Sequence, residues 1–259
     1  MALSVHRDLP ASADPSPSST VTPAKPAAGA GRNIYADGSY EQSNPTWHEE
    51  DAPWKAARIA SILSDNKVRF DSVAEVGCGT GEICARLSEA FPQAQFAGYE
   101  VSPQAYARAC QRARPGLDFH LKDIRTENRS FDVLLVIDVI EHVDDYLGFT
   151  RSLRDCAAYK VFHIPLDLSV QSLLRLWPIM HRRREVGHLH YFCKDTALAT
   201  LGDCGYEVLD WRYTASRLEL PNQAFSSRMA ALPRRIAHKI SADAAVRLLG
   251  GYSLLVLAR

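Results

Sequence analysis

The chain has no long hydrophobic run. No window approaches the roughly 18 consecutive apolar residues that a membrane-spanning helix needs, and residues 1–30 carry no apolar stretch of the signal-peptide kind. The expectation is a cytoplasmic protein with no transmembrane segment. Net charge is also missing: 30 basic residues face 30 acidic ones, so no overall positive field gathers phosphate backbones, and nucleic acid is disfavoured as a partner. Cysteine is sparse and scattered. The six stand singly without a Cys-x-x-Cys pair, which argues against both a disulfide framework and a cysteine-held zinc. What the 259 residues do contain is 46% hydrophobic side chains, enough for one sizeable core.

Residues 1–32 are mostly Ala, Ser, Pro, Thr and Gly, which bury too little surface to offset the entropy of ordering, so this stretch reads as a disordered tail. An aromatic cap follows over 33–63, with Tyr35, Tyr40, Trp47 and Trp54 ahead of a helix predicted from Pro53 to about Leu63. From 64 to 259 apolar strands alternate with helical stretches. Strands are expected near 72–76, 95–99, 117–120, 133–137, 160–164 and 207–211, and helices over 81–90, 103–113 and 145–156. Fully apolar strands such as Val133-Leu134-Leu135-Val136-Ile137 imply a parallel sheet covered on both faces. The predicted fold is therefore α/β, a three-layer sandwich. A helical insertion over about 213–249 precedes a last strand, Tyr252 to Leu257, which is expected to pair antiparallel beside the strand around Val208.

The first strand runs into Glu75-Val76-Gly77-Cys78-Gly79-Thr80-Gly81-Glu82. Glycines there let the backbone turn and approach a ligand, and the following helix start offers free N–H groups. The dinucleotide fingerprint Gly-x-Gly-x-x-Gly is not met, because Glu82 stands where its third glycine belongs; this argues against an NAD-dependent oxidoreductase. The spacing Gly-x-Gly-x-Gly with an acid two residues upstream closely resembles motif I of the class I S-adenosylmethionine (SAM) dependent methyltransferases. Downstream, Glu100-Val101, Asp123-Ile124, the block from Phe131 to Val143, the segment Gly187 to Phe192 and Gly205-Tyr206-Glu207-Val208 resemble later blocks of the small-molecule branch, including the ubiquinone-pathway O-methyltransferases. The resemblance implies a Rossmann-like, seven-stranded, mostly parallel sheet and SAM as cofactor. It assigns Glu75, Gly77, Cys78, Gly79 and Gly81 to the methionine end, Glu100 and Val101 to the ribose side, Asp123 and Ile124 to adenine, and Asp138 to the region of the methyl group.

Methyl transfer from a sulfonium uses an already activated donor, so the protein must position the acceptor and handle its proton. Asp138, Glu141 and His142 follow the fourth strand, and His188 and His190 come later. Asp138, Glu141, His142 and His188 resemble a divalent-metal site known in two branches of the family, with Asp138 replacing a Glu. Two other readings stand beside it: His142 or His190 as a general base, aided by Asp138, or a pair that merely braces a helix. His163 could face the acceptor or be a satisfied core histidine. Arg182-Arg183-Arg184 could clamp an anionic acceptor or end a solvated helix, and interleaved Trp and Arg could suit a membrane surface. The function expected is methylation of an oxygen or nitrogen on a small-molecule or saccharide-linked acceptor; the alternative is a non-catalytic SAM-binding regulator or assembly protein.

Overall fold

The structure, a computed structural model, describes residues 44, 46, 47, 49–215, 234 and 236–259. The predicted tail, most of the aromatic cap and the first half of the helical insertion lie outside these residues. Helix α1, Ala52–Asp65, has Pro53 in its first turn and buries Ala52, Ala56, Ile59, Ile62 and Leu63, a one-sided spacing. Ala56, Ile59, Ile62 and Leu63 sit in one core with Val73, Leu87 and Val133, so α1 belongs to a helical layer against the sheet.

The sheet is built from β1 (Ser72–Val76), β2 (Gln95–Glu100), β3 (Leu117–Leu121), β4 (Phe131–Ile137), β5 (Ala157–Leu166), β6 (Val208–Thr214) and β7 (Tyr252–Ala258), in the order β3-β2-β1-β4-β5-β7-β6. β1 pairs in parallel with β2 and with β4, Val73 lying opposite both Phe96 and Val133. β7 enters between β5 and β6 and runs antiparallel to both. The expected antiparallel partner near Val208 is found, and β7 has a second one in β5. Alternation along the strands sends successive side chains to opposite faces: Leu134 and Val136 join the core under one helical layer, Val133 and Leu135 the other. Both faces of β4 are thus buried, as its unbroken apolar run requires.

The connecting helices are α2 (Glu82–Ala90), α3 (Pro103–Ala109), α4 (Tyr146–Ser152), α5 (Val170–Arg175), α6 (Trp177–His181), α7 (Lys194–Asp203) and α8 (Ala242–Leu249). α3 and α4 are shorter than their sequence pattern, each followed by a 3-10 turn at Cys110–Arg112 and Arg154–Cys156. The stretch after β5 was legible only as an apolar run. It folds as α5, α6 and a wide turn over Arg182–Val186, closed by the Gly187 N–H donating to the Arg182 carbonyl. Strand order reverses between β1 and β4, and a crevice outside the carboxyl ends of the strands at such a point is where open α/β sheets bind ligands.

Candidate active site at the carboxyl edge of the sheet

The glycine loop leaves β1 at the reversal. Gly77, Gly79 and Gly81 all have positive φ. At Gly81 a β-carbon would lie 2.4 Å from the Phe119 ring, whereas at Gly79 it would meet nothing within 4 Å, so the loop is tight on its core side and open on the other. Glu100, ending β2, reaches under this loop. The Gly79 N–H donates to its Oε2 at 2.8 Å, and the Val101 and Ser102 N–H groups donate to Oε1 at 2.7 and 2.8 Å. Burial still outweighs these three donors and raises the Glu100 pKa. Glu75, in β1, is 2% exposed, and its Oε2 has no hydrogen-bond partner. Burial pushes its carboxyl up to about 8, against hydrogen bonds from Cys84 and the charge of Lys55. Cys78 packs in the core between the two glycines.

Val101 stands 62% exposed beside Glu100, open to a flat ligand, but Ile124 is buried in the core. Asp123 is engaged by its neighbour: the Arg125 guanidinium and backbone N–H both donate to it, and they hold its carboxyl low. The expected adenine pair is thus placed with one member inside the core and the other in a local ion pair.

Asp138 begins the turn after β4 with φ +53, a strained value for a residue with a β-carbon. Its Oδ2 lies 2.8 Å from Lys55 Nζ on α1, and its Oδ1 lies 2.6 Å from His163 Nδ1 on β5. Burial opposes ionisation, but the charges of His163 and Lys55 keep the Asp138 carboxyl well below its usual range. The other nitrogen of His163 is 2.9 Å from Thr214 Oγ1. His163 is therefore a buried, satisfied histidine, and Asp138 is committed to a structural relay that ties α1, β4, β5 and β6 together. This separates Asp138 from the metal set expected for it.

The remaining three members of that set do converge. Ligand atoms of Glu141, His142 and His188 lie within 4.8 Å of one another. The strap from Leu189 to His190 is fixed by two N–H bonds to the Glu141 carbonyl, at 2.7 and 3.1 Å. His142 Nδ1 sits 3.1 Å from the Gly187 carbonyl oxygen, and His188 Nδ1 sits 2.5 Å from Asp167 Oδ2. Carbonyl and carboxylate oxygens only accept, so each Nδ1 is a donor, and His142 Nε2 lies 3.9 Å from Glu141 Oε1. Glu141 is 1% exposed, and neither of its carboxylate oxygens has a hydrogen-bond partner. His190 Nε2 donates to the Val143 and Asp144 carbonyls at 2.9 and 3.1 Å, so Nδ1 is the nitrogen that could act as a base. Of the three consecutive arginines, Arg182 alone approaches this cluster, 3.6 Å from Asp167.

With the geometry in place, comparison with known proteins fixes the family. A family model described as a methyltransferase domain matches residues 47–210. The chain belongs to the methyltransferase-domain family. Among curated relatives of this methyltransferase domain, trans-aconitate 2-methyltransferase of Deinococcus radiodurans is 35% identical over 77 residues, 30% of either chain. Norajmaline N-methyltransferase of Rauvolfia serpentina is 29% identical over 113 residues, 40% of this chain and 38% of the relative. The matched stretches thus span well under half of these relatives. In fold, the methyltransferase resembles the N-methyltransferase NodS of Bradyrhizobium japonicum, solved with S-adenosylhomocysteine, at TM-score 0.55 and 19% identity over 86% of this chain and 96% of that one. It also resembles the magnesium protoporphyrin IX methyltransferase ChlM of Synechocystis, with TM-score 0.53 and 17% identity over 80% and 81%.

Sequence reasoning missed Lys55, Asp167 and Thr214 in the methyltransferase site. Lys55 and Thr214 meet Asp138 and His163 only through the tertiary fold, and no local pattern marks either one. Asp167 had a usable signal, since an acid two residues past Pro165 falls at the same edge of the sheet as Asp138.

Proposed function

We propose that the chain is a cytoplasmic enzyme that transfers a methyl group from SAM to an oxygen or nitrogen of a small-molecule or saccharide-linked acceptor. The observation that carries this reading is Glu75, a buried carboxylate with an unpartnered oxygen at the base of a glycine loop that is open on its ligand side. Such a group is costly unless it meets a donor or a cation, and the methionine ammonium of SAM supplies both. Glu100, pre-oriented by three N–H groups, then takes the ribose hydroxyls, and Val101 lies along the adenine side. The six free cysteines suit a reducing compartment.

The second half of the proposal concerns the acceptor. Glu141, His142 and His188 would hold a divalent ion, and the residues present fit one: two imidazoles beside a buried carboxylate whose oxygens have no hydrogen-bond partner, with Asp167 and the Gly187 carbonyl orienting the imidazoles from behind. The mixed nitrogen and oxygen set suits manganese, iron, zinc or magnesium better than calcium. Such an ion, when bound, lowers the pKa of an acceptor hydroxyl. The chain's own part is positional. Asp167 orients His188, the Glu141 carbonyl straps the histidine segment down, and the Lys55–Asp138–His163 relay holds α1 against the edge of the cleft.

Thermal denaturation with ligands tests the donor half: SAM and S-adenosylhomocysteine should raise the melting temperature and NAD should not, because a ligand that binds only the folded state stabilises it. Incubation with labelled SAM and fractionated metabolites or envelope saccharides tests turnover. SAM binding with no methylated product in any fraction would replace the enzyme reading with that of a SAM-binding regulator.

A further inference from the structure

The insertion after β5 exposes apolar side chains that the site does not use. Leu173, Leu174, Leu176 and Trp177 lie on the surface, Leu174 at 82% and Trp177 at 65% exposure, and Ile179 alone of α6 is buried. Leu176, between α5 and α6, has φ +53. Glycine or asparagine would hold that conformation with less strain, so a leucine there, 60% exposed, spends stability to display an apolar side chain. The apolar surface is extended by Ile236 and Ile240, the latter 81% exposed, in a helical stretch tied to α5 where Arg234 donates to Gln171 at 3.2 Å.

Charge identifies what covers this face. From residue 168 to residue 186 Arg175, Arg182, Arg183 and Arg184 stand against one acid, Glu185, so the stretch is net basic. Arg182 is spent on Asp167, while Arg175, Arg183 and Arg184 form no ion pair among the described residues. A second copy would bring these arginines against their own equivalents. Residues 216–233 offer Arg217 and Arg228 against the single acid Glu219, so they too fail to complement the face. Protruding leucines and a tryptophan in the same stretch as three arginines without an ion pair among the described residues match the interface of a bilayer with anionic headgroups, where the apolar groups enter the acyl boundary and each arginine adds attraction.

We propose that α5, α6 and the Arg182–Val186 turn dock the protein on an anionic lipid bilayer. The chain runs from this surface directly into Gly187 and His188, so docking places the membrane beside the acceptor side of the cleft. The proposal does not depend on SAM or on a metal.

The test is co-sedimentation of the full chain with vesicles of phosphatidylcholine alone and of phosphatidylcholine mixed with phosphatidylglycerol, at low and high salt. Binding is expected to the mixed vesicles alone and to weaken with salt. Arg183→Glu with Arg184→Glu should lower vesicle affinity by roughly twentyfold or more, given about 1 kcal/mol per basic residue at an anionic surface, and separately Leu174→Ser with Trp177→Ser, which removes the apolar groups that would enter the bilayer, should lower it by about tenfold or more. Because all four side chains are exposed, melting temperature and its rise with SAM should not change, which separates loss of docking from loss of fold. No binding by the unaltered chain, equal binding to neutral vesicles, or variants that bind as well as the parent would overturn the proposal. So would elution as a dimer that the Leu174→Ser, Trp177→Ser pair dissolves, which would make the face a contact between copies.

Discussion

The two ends of the cleft are built on different plans. At the end of β2, every oxygen of Glu100 is already engaged by backbone N–H groups, and the loop above it is set by glycines whose conformations the strand and helix impose. At the end of β4, neither oxygen of Glu141 has a hydrogen-bond partner, and His142 and His188 converge on it. A site held by backbone needs no ligand to be complete in shape. A site of side chains converging on an unsatisfied carboxylate is stable only because the surrounding elements hold it, and its energetic cost is recovered when something binds.

The sharpest way to break that comparison is at the unsatisfied end. If Glu141, His142 and His188 hold an ion, Glu141→Gln or exhaustive chelation should lower turnover at least about a hundredfold, the scale of a lost Lewis acid. Added manganese or zinc should restore the chelated parent and leave the Gln variant slow. Asp167→Asn should weaken metal affinity about tenfold or more, read by competition with a chromogenic chelator, because it loosens the orientation of His188. SAM affinity should be the same in all of them. Full turnover after chelation would leave the cluster as a brace for the Gly187 strap.

Glu75 gives the next effect, and a pH dependence with a definite sign. Its folded pKa, about 8, lies above the 4.5 of an ordinary glutamate, so the folded protein holds a proton that the unfolded chain gives up. Without SAM, stability should be fullest below pH 4.5 as far as this group is concerned, and should be lost as pH rises through about 8. Glu75→Gln removes that loss. At pH 9 the variant should be more stable than the parent by up to about 5 kcal/mol, converting the shift at 1.36 kcal/mol per pKa unit. Denaturant melts at pH 5 and pH 9 measure it. A parent whose ligand-free stability is flat between these values would show that Glu75 is not held neutral by burial.

Glu100→Ala should then separate the two ends most cleanly. Losing charge-assisted bonds to two ribose hydroxyls costs about 2–3 kcal/mol, so the Kd for SAM should rise about 30- to 150-fold by calorimetry, while metal affinity is unchanged.

These differences follow what could be read from the residues. The sheet, its antiparallel last strand and the donor loop were legible because each depends on local pattern: unbroken apolar runs, glycine spacing, an acid at a strand end. Glu141, His142 and His188 were picked out for the right neighbourhood, since the strand-end turn and the later histidine segment are recognisable separately. The fate of Asp138 was not legible. Its partners Lys55 and His163 come from α1 and β5, and only the packed fold shows that they take both of its oxygens. The surroundings of Ile124 and Asp123 were hidden for a related reason, because a motif does not show that one side chain packs in the core and the other pairs with Arg125.

Asp138 therefore supplies the smallest and most discriminating test. Asn tolerates the left-handed backbone better than most residues, so Asp138→Asn keeps the turn and removes only the charge. Lys55 then loses its closest counter-ion. Because Asp138 is a quarter exposed, solvent screens the pair, and the expected loss is about 1–2 kcal/mol rather than the larger cost of breaking a fully buried bridge. Lys55→Met should cost a similar amount, and the double variant should cost less than the sum of the two, since both remove the same ion pair. Metal affinity should not move in any of the three. A Kd for manganese or zinc that weakens tenfold in Asp138→Asn, with the Lys55→Met protein unaffected, would put Asp138 back among the ligands and make its contact with Lys55 a resting arrangement that metal displaces.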